Sequence, residues 1–397
     1  MVTLLRRRTL SGDKSEFKVT FKSKAEVTIA GHGTIDWGDG AKTEFNASNN
    51  SPVKYSHSYN DQNRLYQATI IGKLTRVTSF SPGIVSVDTP FPESMAGQTN
   101  FDRVFNNCWA LTSIPGSLFD NCPEVTSFST TFNNCRSLTS IPEGLFDNCP
   151  EVMNFADVFN GCTSLTSIPS GLFDNCTKVT IFGDAFYGCK SLASIPSGLF
   201  DNCTKVNSFS SAFHNCTSLT SIPEDLFDNC HEVTAFSSTF GGCMSLTSIP
   251  EGLFDNCPKV TVFMNTFSGC WSITSIPKGL FDNCPEVTNF NATFSSCKSI
   301  ASIPEGLFDN CPEATNFNGT FYGCTSLTSI PSGLFDNCAK VTNFNDTFNG
   351  CSSLTSDVPE LWDTTKWPNV DLHKMCFYGC DSASNYSDIP DDWKEKL

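Results

Sequence analysis

Cys108, Cys135, Cys162, Cys189, Cys216, Cys243, Cys270, Cys297, Cys324 and Cys351 are each separated by 27 residues. A second column, Cys122 to Cys338, keeps the same interval over nine members, so 19 of the 21 cysteines are periodic and only Cys376 and Cys380 fall outside. The unit reads approximately C-x-S-L-T-S-I-P-x-G-L-F-D-N-C-x-x-V-T-x-F-x-x-T-F-x-G, and SLTSIPEGLFDNCP recurs unchanged at 137–150 and 245–258. A strict period of about 20–50 residues marks a solenoid, in which each coil buries its apolar face only against its neighbours. A reaction centre is needed once, whereas a unit spelled this often is a building element.

Two segments of each coil, L-T-S-I and V-T-x-F, are rich in the residues that favour extended backbone. Pro, Gly, Asp and Asn punctuate the links between them and turn the chain, leaving room for short turns or helical pieces only. Three Phe columns, starting at Phe101, Phe105 and Phe119, supply 29 of the 35 phenylalanines and form a stacked spine. The expected fold is therefore mainly β: a solenoid of about ten coils, on the order of 50 Å long if coils pair in parallel at ~4.8 Å.

The cysteines invite a metal reading, but metal ligands cluster, and the spacings within a coil are 13 and 14 with five histidines in the whole chain. Disulfides between neighbouring coils are geometrically conceivable, since in-register Cα atoms lie ~5 Å apart. The reading adopted is a ladder of buried structural thiols, each a small apolar residue suited to a tight turn. Asp-Asn recurs from Asp120-Asn121 to Asp336-Asn337. Its Asn column is expected to satisfy backbone groups inside the turn. Its Asp column is expected to cap turns facing solvent, with calcium along the row of carboxylates as the alternative. No other cofactor is indicated.

The net charge of −16 is uneven: residues 1–100 carry 12 Lys+Arg against 9 Asp+Glu, and the rest carry 13 against 32. A body this acidic repels phosphate backbones, which argues against nucleic acid. No apolar run is long enough to span a membrane, and MVTLLRRRTLSGDKSE lacks the apolar core of a secretory signal. Residues 1–14 read as a flexible basic tail. No G-x-S-x-G, H-E-x-x-H or phosphate loop is present, and His32, His57, His214, His231 and His373 form no acid–base set, so no enzyme is expected.

Repeats within one chain act as replicates of one structural slot, so positions that drift are free of the scaffold's demands. The residue after the first cysteine runs Trp109, Arg136, Thr163, Lys190, Thr217, Met244, Trp271, Lys298, Thr325, Ser352. Two residues before that cysteine the column includes Tyr187, His214 and Tyr322. Trp109, Arg136, Lys190, Met244, Trp271, Lys298, Tyr187, His214 and Tyr322 are the candidate partner-binding residues, because Trp, Tyr and Arg dominate interface energetics.

The pattern carried by Leu138, Ile141, Leu145, Phe146, Val152, Phe155, Phe159 and Cys162, with its V-x-x-F-x-x-x-F-x-x-C ending, resembles the BspA-like leucine-rich repeats over roughly residues 74–390. Its unit is longer than the usual ~23 residues of that branch. The resemblance implies a surface protein and places L-T-S-I on the concave sheet, although the same letters also resemble a convex segment. Upstream, Trp37-Gly38-Asp39-Gly40, His57, Tyr59 and Ala68-Thr69-Ile70-Ile71 resemble a PKD-like β-sandwich, in which the Trp is core and Gly-Asp-Gly a tight turn. The domains expected are thus a tail (1–14), a PKD-like sandwich (15–82), the solenoid (83–352) and a C-terminal cap (353–397). Together the residues and resemblances imply a non-enzymatic recognition or adhesion protein that meets a protein or glycan on a cell surface without membrane insertion. The alternative is a host-recognition component of a phage tail or similar particle docked through the N-terminal module, which fits the missing signal peptide.

Overall fold

The structure is a computed structural model that describes residues 15–395, so the tail expected over 1–14 lies outside the described residues. Six strands open the chain: β1 (Glu16–Lys22), β2 (Lys24–Asp36), β3 (Lys42–Ala47), β4 (Val53–Ser58), β5 (Leu65–Phe80) and β6 (Ile84–Val87). In β1, apolar and polar residues alternate, and burial follows: Phe17, Val19 and Phe21 are core while Lys18 and Thr20 are partly exposed. All six strands hydrogen-bond as one antiparallel sheet in the order β3-β2-β5-β1-β6, with β4 also on β2. The second edge of β2 is divided, Lys24–Ile29 pairing β4 and Gly31–Asp36 pairing β3. Where a two-sheet sandwich is the expectation from sequence, the hydrogen bonding is that of one sheet, with β2 and β5 shared between its halves.

Trp37 is buried, and its Nε1 donates to Thr43 Oγ1 at 2.9 Å. The turn after it closes through Trp37 N to Ala41 O at 3.0 Å, with Gly38 at φ +83 and Gly40 at φ +96. These values lie in the left-handed region that favours glycine.

The repeats contain no regular strand among the described residues. Each coil is a chain of tight turns joined to its neighbours by single parallel bridges, which run along the third residue of V-T-x-F from Asn100 through Ser127 to Leu372. L-T-S-I carries only the bridges Ser86 to Ser113 and Ser302 to Ser329, so the continuous ladder lies on V-T-x-F. The coil from Phe128 to Cys135 shows why the backbone is satisfied without strands. The N–H groups of Phe128, Thr130, Phe132 and Asn134 donate to Asn154, Ala156, Val158 and Asn160 of the next coil at 2.6–3.0 Å. Those of Thr131, Asn133 and Cys135 close turns onto Phe128, Thr130 and Phe132 at 3.1–3.2 Å. The alternation requires positive φ at Thr130 (60°) and Asn134 (58°), and the same two slots stay left-handed in coil after coil.

Apolar columns fill the interior. The Phe105 column stacks from Phe80 to Phe377 with ring centroids 5.0–5.8 Å apart. In the Phe119 column the spacing is 5.8–6.4 Å, so the coils fan apart toward the F-D-N turn. Buried Thr131, Thr239, Thr266, Thr293, Thr320 and Thr347 keep Oγ1 within 2.6–3.0 Å of backbone carbonyls, which satisfies the polar atoms of this core.

The sheet and the solenoid share one core. Phe80 stacks on Phe105 at 5.0 Å, Phe91 on Phe17 at 4.7 Å, and Thr112 N donates to Val85 O at 2.8 Å. β6, just past residue 82, thus pairs with β1 on one side and with the first coil on the other. At the far end a short helix, α1 (Asp391–Lys394), places buried Trp393 within 6.5 Å of the Phe377 ring, and Phe377 N donates to Trp393 O at 2.9 Å. Terminal apolar layers need such covers.

Candidate recognition face

The side chain after the first cysteine leaves the coil at a very tight turn: Trp109 N donates to Asn107 O at 2.9 Å and Lys190 N to Gly188 O at 2.8 Å. That geometry turns the residue outward. Trp109 is 53% exposed, Trp271 42% and Met244 36%, high values for large apolar side chains in a protein with a continuous core. Arg136, Lys190 and Lys298 are exposed on the same column. Lys298 Nζ lies 4.1 Å from the centroid of Trp271, one coil away, a cation–π contact between neighbouring coils.

The second column is less uniform. Tyr322 is 45% exposed, but Tyr187 and His214 are half-buried and stack on each other at 5.0 Å. Burial holds the His214 imidazole below its usual range, so the ring is neutral near pH 7, and its Nδ1 has no hydrogen-bond partner. The ring packs so closely on Gly241 that a Cβ there would come within 2.6 Å of Nδ1. The structure therefore brings six of the nine candidates onto one exposed column, adds Tyr322 beside it, and makes Tyr187 and His214 partly a packing pair.

The same replicate logic points to residues that the sequence reading passed over. Met153 (47% exposed) replaces Thr at the second residue of V-T-x-F, Ile181 (39%) and Leu372 (48%) replace Ser or Asn at the third, and Val53 and Leu65 are exposed on the sheet. Their signal is the departure from Thr, Ser or Asn at a fixed slot.

All 21 cysteines are buried and unbonded to one another. In the first column each thiol donates to the carbonyl of the preceding coil, as Cys216 does to Phe186 O at 3.2 Å and Cys270 to Phe240 O at 3.1 Å. Cys380 continues this column, donating to Phe348 O at 3.1 Å, and Cys376 takes the place that Thr347 holds one coil earlier. The two cysteines that the period leaves outside are thus in register, displaced by two extra residues. Burial pushes the thiols up, Cys162, Cys176, Cys230 and Cys243 to about 12, so at neutral pH they are neither nucleophiles nor ready metal ligands.

The Asn column lies at the surface rather than inside the turn. Asn148 Nδ2 donates to Asp120 Oδ1 at 3.0 Å, and Asn175 Nδ2 to Asp147 O at 3.1 Å, each reaching the previous coil. The carboxylates of Asp120, Asp201 and Asp228 accept from Asn148, Asn229 and Asn256 at 3.0–3.4 Å, whereas Asn121 and Asn175 donate to backbone carbonyls; Asp174 folds over Gly171. An open groove of about 430 Å³ runs between Asp309 and Asp336. No three His, Cys, Asp or Glu side chains converge to hold a metal ion among the described residues. The histidine contacts are separate: His57 pairs with Asp39 at 2.7 Å and His373 with Asp392 at 2.9 Å, at opposite ends of the chain. Among the described residues no helix is long and apolar enough to cross a membrane.

Comparison with known proteins gives a consistent family. The BspA type leucine-rich repeat region matches in six copies, over residues 104–261, 180–342 and 274–394. Among solved structures, a leucine-rich cell surface protein from Faecalibacterium prausnitzii is 22% identical, with 78% of this chain and 83% of that chain covered and a TM-score of 0.32. The TLR13–ssRNA13 complex is 12% identical, with 68% and 59% covered and a TM-score of 0.18. No curated protein matches. With the repeat match spanning well over half of its length, the chain belongs to the BspA-type leucine-rich repeat family.

Proposed function

We propose that this is a non-enzymatic recognition or adhesion protein of a cell surface, which binds a protein or glycan partner through the exposed column from Trp109 to Lys298. One observation carries the reading: Trp109 and Trp271 stand in water on a slot whose neighbours in the coil hardly vary. Indoles this exposed leave much of their ring surface unused by coil packing, and they are the side chains that anchor interfaces. Membership in a repeat-scaffold family supports the same role. The N-terminal sheet serves as a PKD-like spacer or docking platform, a reading supported by buried Trp37, its Gly-Asp-Gly turn and the Tyr59 hydroxyl on Trp37 O at 2.9 Å.

The test is binding of labelled protein to intact bacterial and epithelial cells, beside a variant carrying Trp109→Ala, Arg136→Ala and Trp271→Ala. Loss of binding with unchanged melting is expected. Equal binding by both proteins would remove the column from the account.

A further inference from the structure

We infer that the recognition face takes an anionic polysaccharide laid along the stack of coils, a statement that rests on the recognition reading above. Acids are missing from one stretch of every coil in the array's middle. From two residues before the first cysteine through the proline, that is Asn106–Pro115 and its equivalents to Tyr322–Pro331, nine successive coils contain no Asp or Glu. The 32 acidic residues beyond residue 100 all lie elsewhere. A chain of net charge −16 has one side swept clear of negative charge over nine coils.

Three cations occupy the cleared side, and all three are exposed: Arg136, Lys190 and Lys298. None has a carboxylate within ion-pair distance among the described residues. On another side of the coil, Lys178, Lys259 and Lys340 pair with Glu151, Glu232 and Glu313 at 2.5–2.6 Å. Lys190 lies two coils from Arg136 and four from Lys298, or ~10 and ~19 Å at ~4.8 Å per coil. Both gaps are even numbers of coils, which suits a linear polymer whose charge recurs at a fixed repeat. Asp157, Asp184 and Asp346 flank the face on one margin and exposed Glu143, Glu224, Glu251 and Glu305 follow the proline on the other. The carboxylates of Asp157 and Asp346 take up the Asn160 and Asn349 amides at 2.7 and 2.6 Å, and burial raises the pKa of Asp184. The acidic sides beyond them are screened over about 8 Å at physiological salt.

The rest of the face fits sugar. Exposed Thr166, Thr220, Thr247 and Thr328 each donate a hydroxyl inward to the carbonyl of the previous coil at 3.1–3.4 Å. Ser191, Ser272 and Ser299 do the same at 2.7–2.8 Å. Their donors are spent, so what they offer outward is acceptor lone pairs, complementary to sugar hydroxyls. Trp109, Tyr322 and the face of Trp271 that Lys298 does not cover supply the apolar surfaces on which pyranose rings rest. Single-stranded DNA carries no row of sugar hydroxyls to donate to these acceptors.

The experiment uses the full chain with immobilised hyaluronan, dextran sulfate, neutral dextran and single-stranded DNA. Binding to hyaluronan or dextran sulfate is expected, weakening with added salt, with neither dextran nor DNA retained. The variant Arg136→Gln/Lys190→Gln/Lys298→Gln is expected to lose about tenfold in affinity with melting unchanged. Equal retention on dextran, retention on DNA as tight as on the polysaccharides, or full binding by the triple variant would each overturn the inference. If no charged polysaccharide is bound while cell binding is lost in the Trp109→Ala/Trp271→Ala protein, the inference fails and the recognition reading stands. If neither cells nor any charged polysaccharide is bound, both fail.

Discussion

Raising the pH should unfold this protein in one steep step, and the thiol ladder sets where. The ordinary thiol value is 9.0, and burial raises all 21 cysteines above it, Cys162 and Cys230 to about 12. Folding thus favours the protonated thiol. Its contribution is fully present below the unfolded pKa and is lost as pH climbs toward the folded one. At pH 9 half of the unfolded-state thiols are ionised, which costs the folded state about 0.4 kcal/mol per cysteine, or roughly 9 kcal/mol for the ladder. At pH 10 the figure is about 1.4 kcal/mol per cysteine, or roughly 30 kcal/mol in all, beyond the ~5–15 kcal/mol that holds a typical domain together. The assay follows thiolate ultraviolet absorbance and circular dichroism together from pH 7 to 11 under reducing conditions. Both signals should move in one transition between about pH 9 and 10. Thiolate absorbance rising gradually around pH 9 with the circular dichroism intact would show that the thiols are not buried, and would refute the reasoning.

Three further outcomes follow from the packing. Phe227→Ala removes a ring that meets Phe200, Phe209, Phe236, Phe240 and Phe254 at 4.7–6.4 Å, and should cost about 3–5 kcal/mol in urea unfolding; a loss below about 1 kcal/mol would contradict the stacked spine. Trp393→Ala uncovers Phe377 and should speed amide exchange in the last coil while Cys203 to Cys243 keep their protection, because coils contact only their neighbours; equal deprotection of the distant coils would contradict neighbour-only contact. Millimolar calcium should leave the melting temperature unchanged, since the Asp120 to Asp336 column offers no converging ligand set, and a rise of several degrees would restore the calcium reading.

The fold was legible where the sequence repeats itself and obscure where the backbone does its own work. Nine unbroken 27-residue steps fix the solenoid, the Phe columns and the buried thiols, because only stacked coils make the same slot recur. The coil path was less visible. V-T-x-F and L-T-S-I look like strands by composition, yet left-handed residues such as Thr130, Asp157 and Ser238 break the chain into turns after each bridge. That slot carries no constant letter, from Arg103 and Thr130 to Gly319 and Met375, so nothing in the sequence announces it, whereas the second left-handed slot, four residues on, is Gly or Asn in every coil except at Ser296. Cys376 and Cys380 escaped the columns because two inserted residues shift the phase, although F-Y-G-C at 377–380 repeats 321–324. On the candidate face, drift at a fixed slot pointed to Trp109, Met244 and Trp271. It could not show that Tyr187 and His214 would spend part of their surface on each other.

The most direct test of the central claim, that fixed letters build the coil and the varying column meets the partner, is hydroxyl-radical footprinting of the protein free and bound to cells. The method oxidises the side-chain types that mark the face. Protection is expected at Trp109, Met244, Trp271 and Tyr322, with Met153, exposed on the V-T-x side, labelled equally in both states. Protection at Met153, Val53 or Leu65 with the column unchanged would place recognition on another surface and contradict the account.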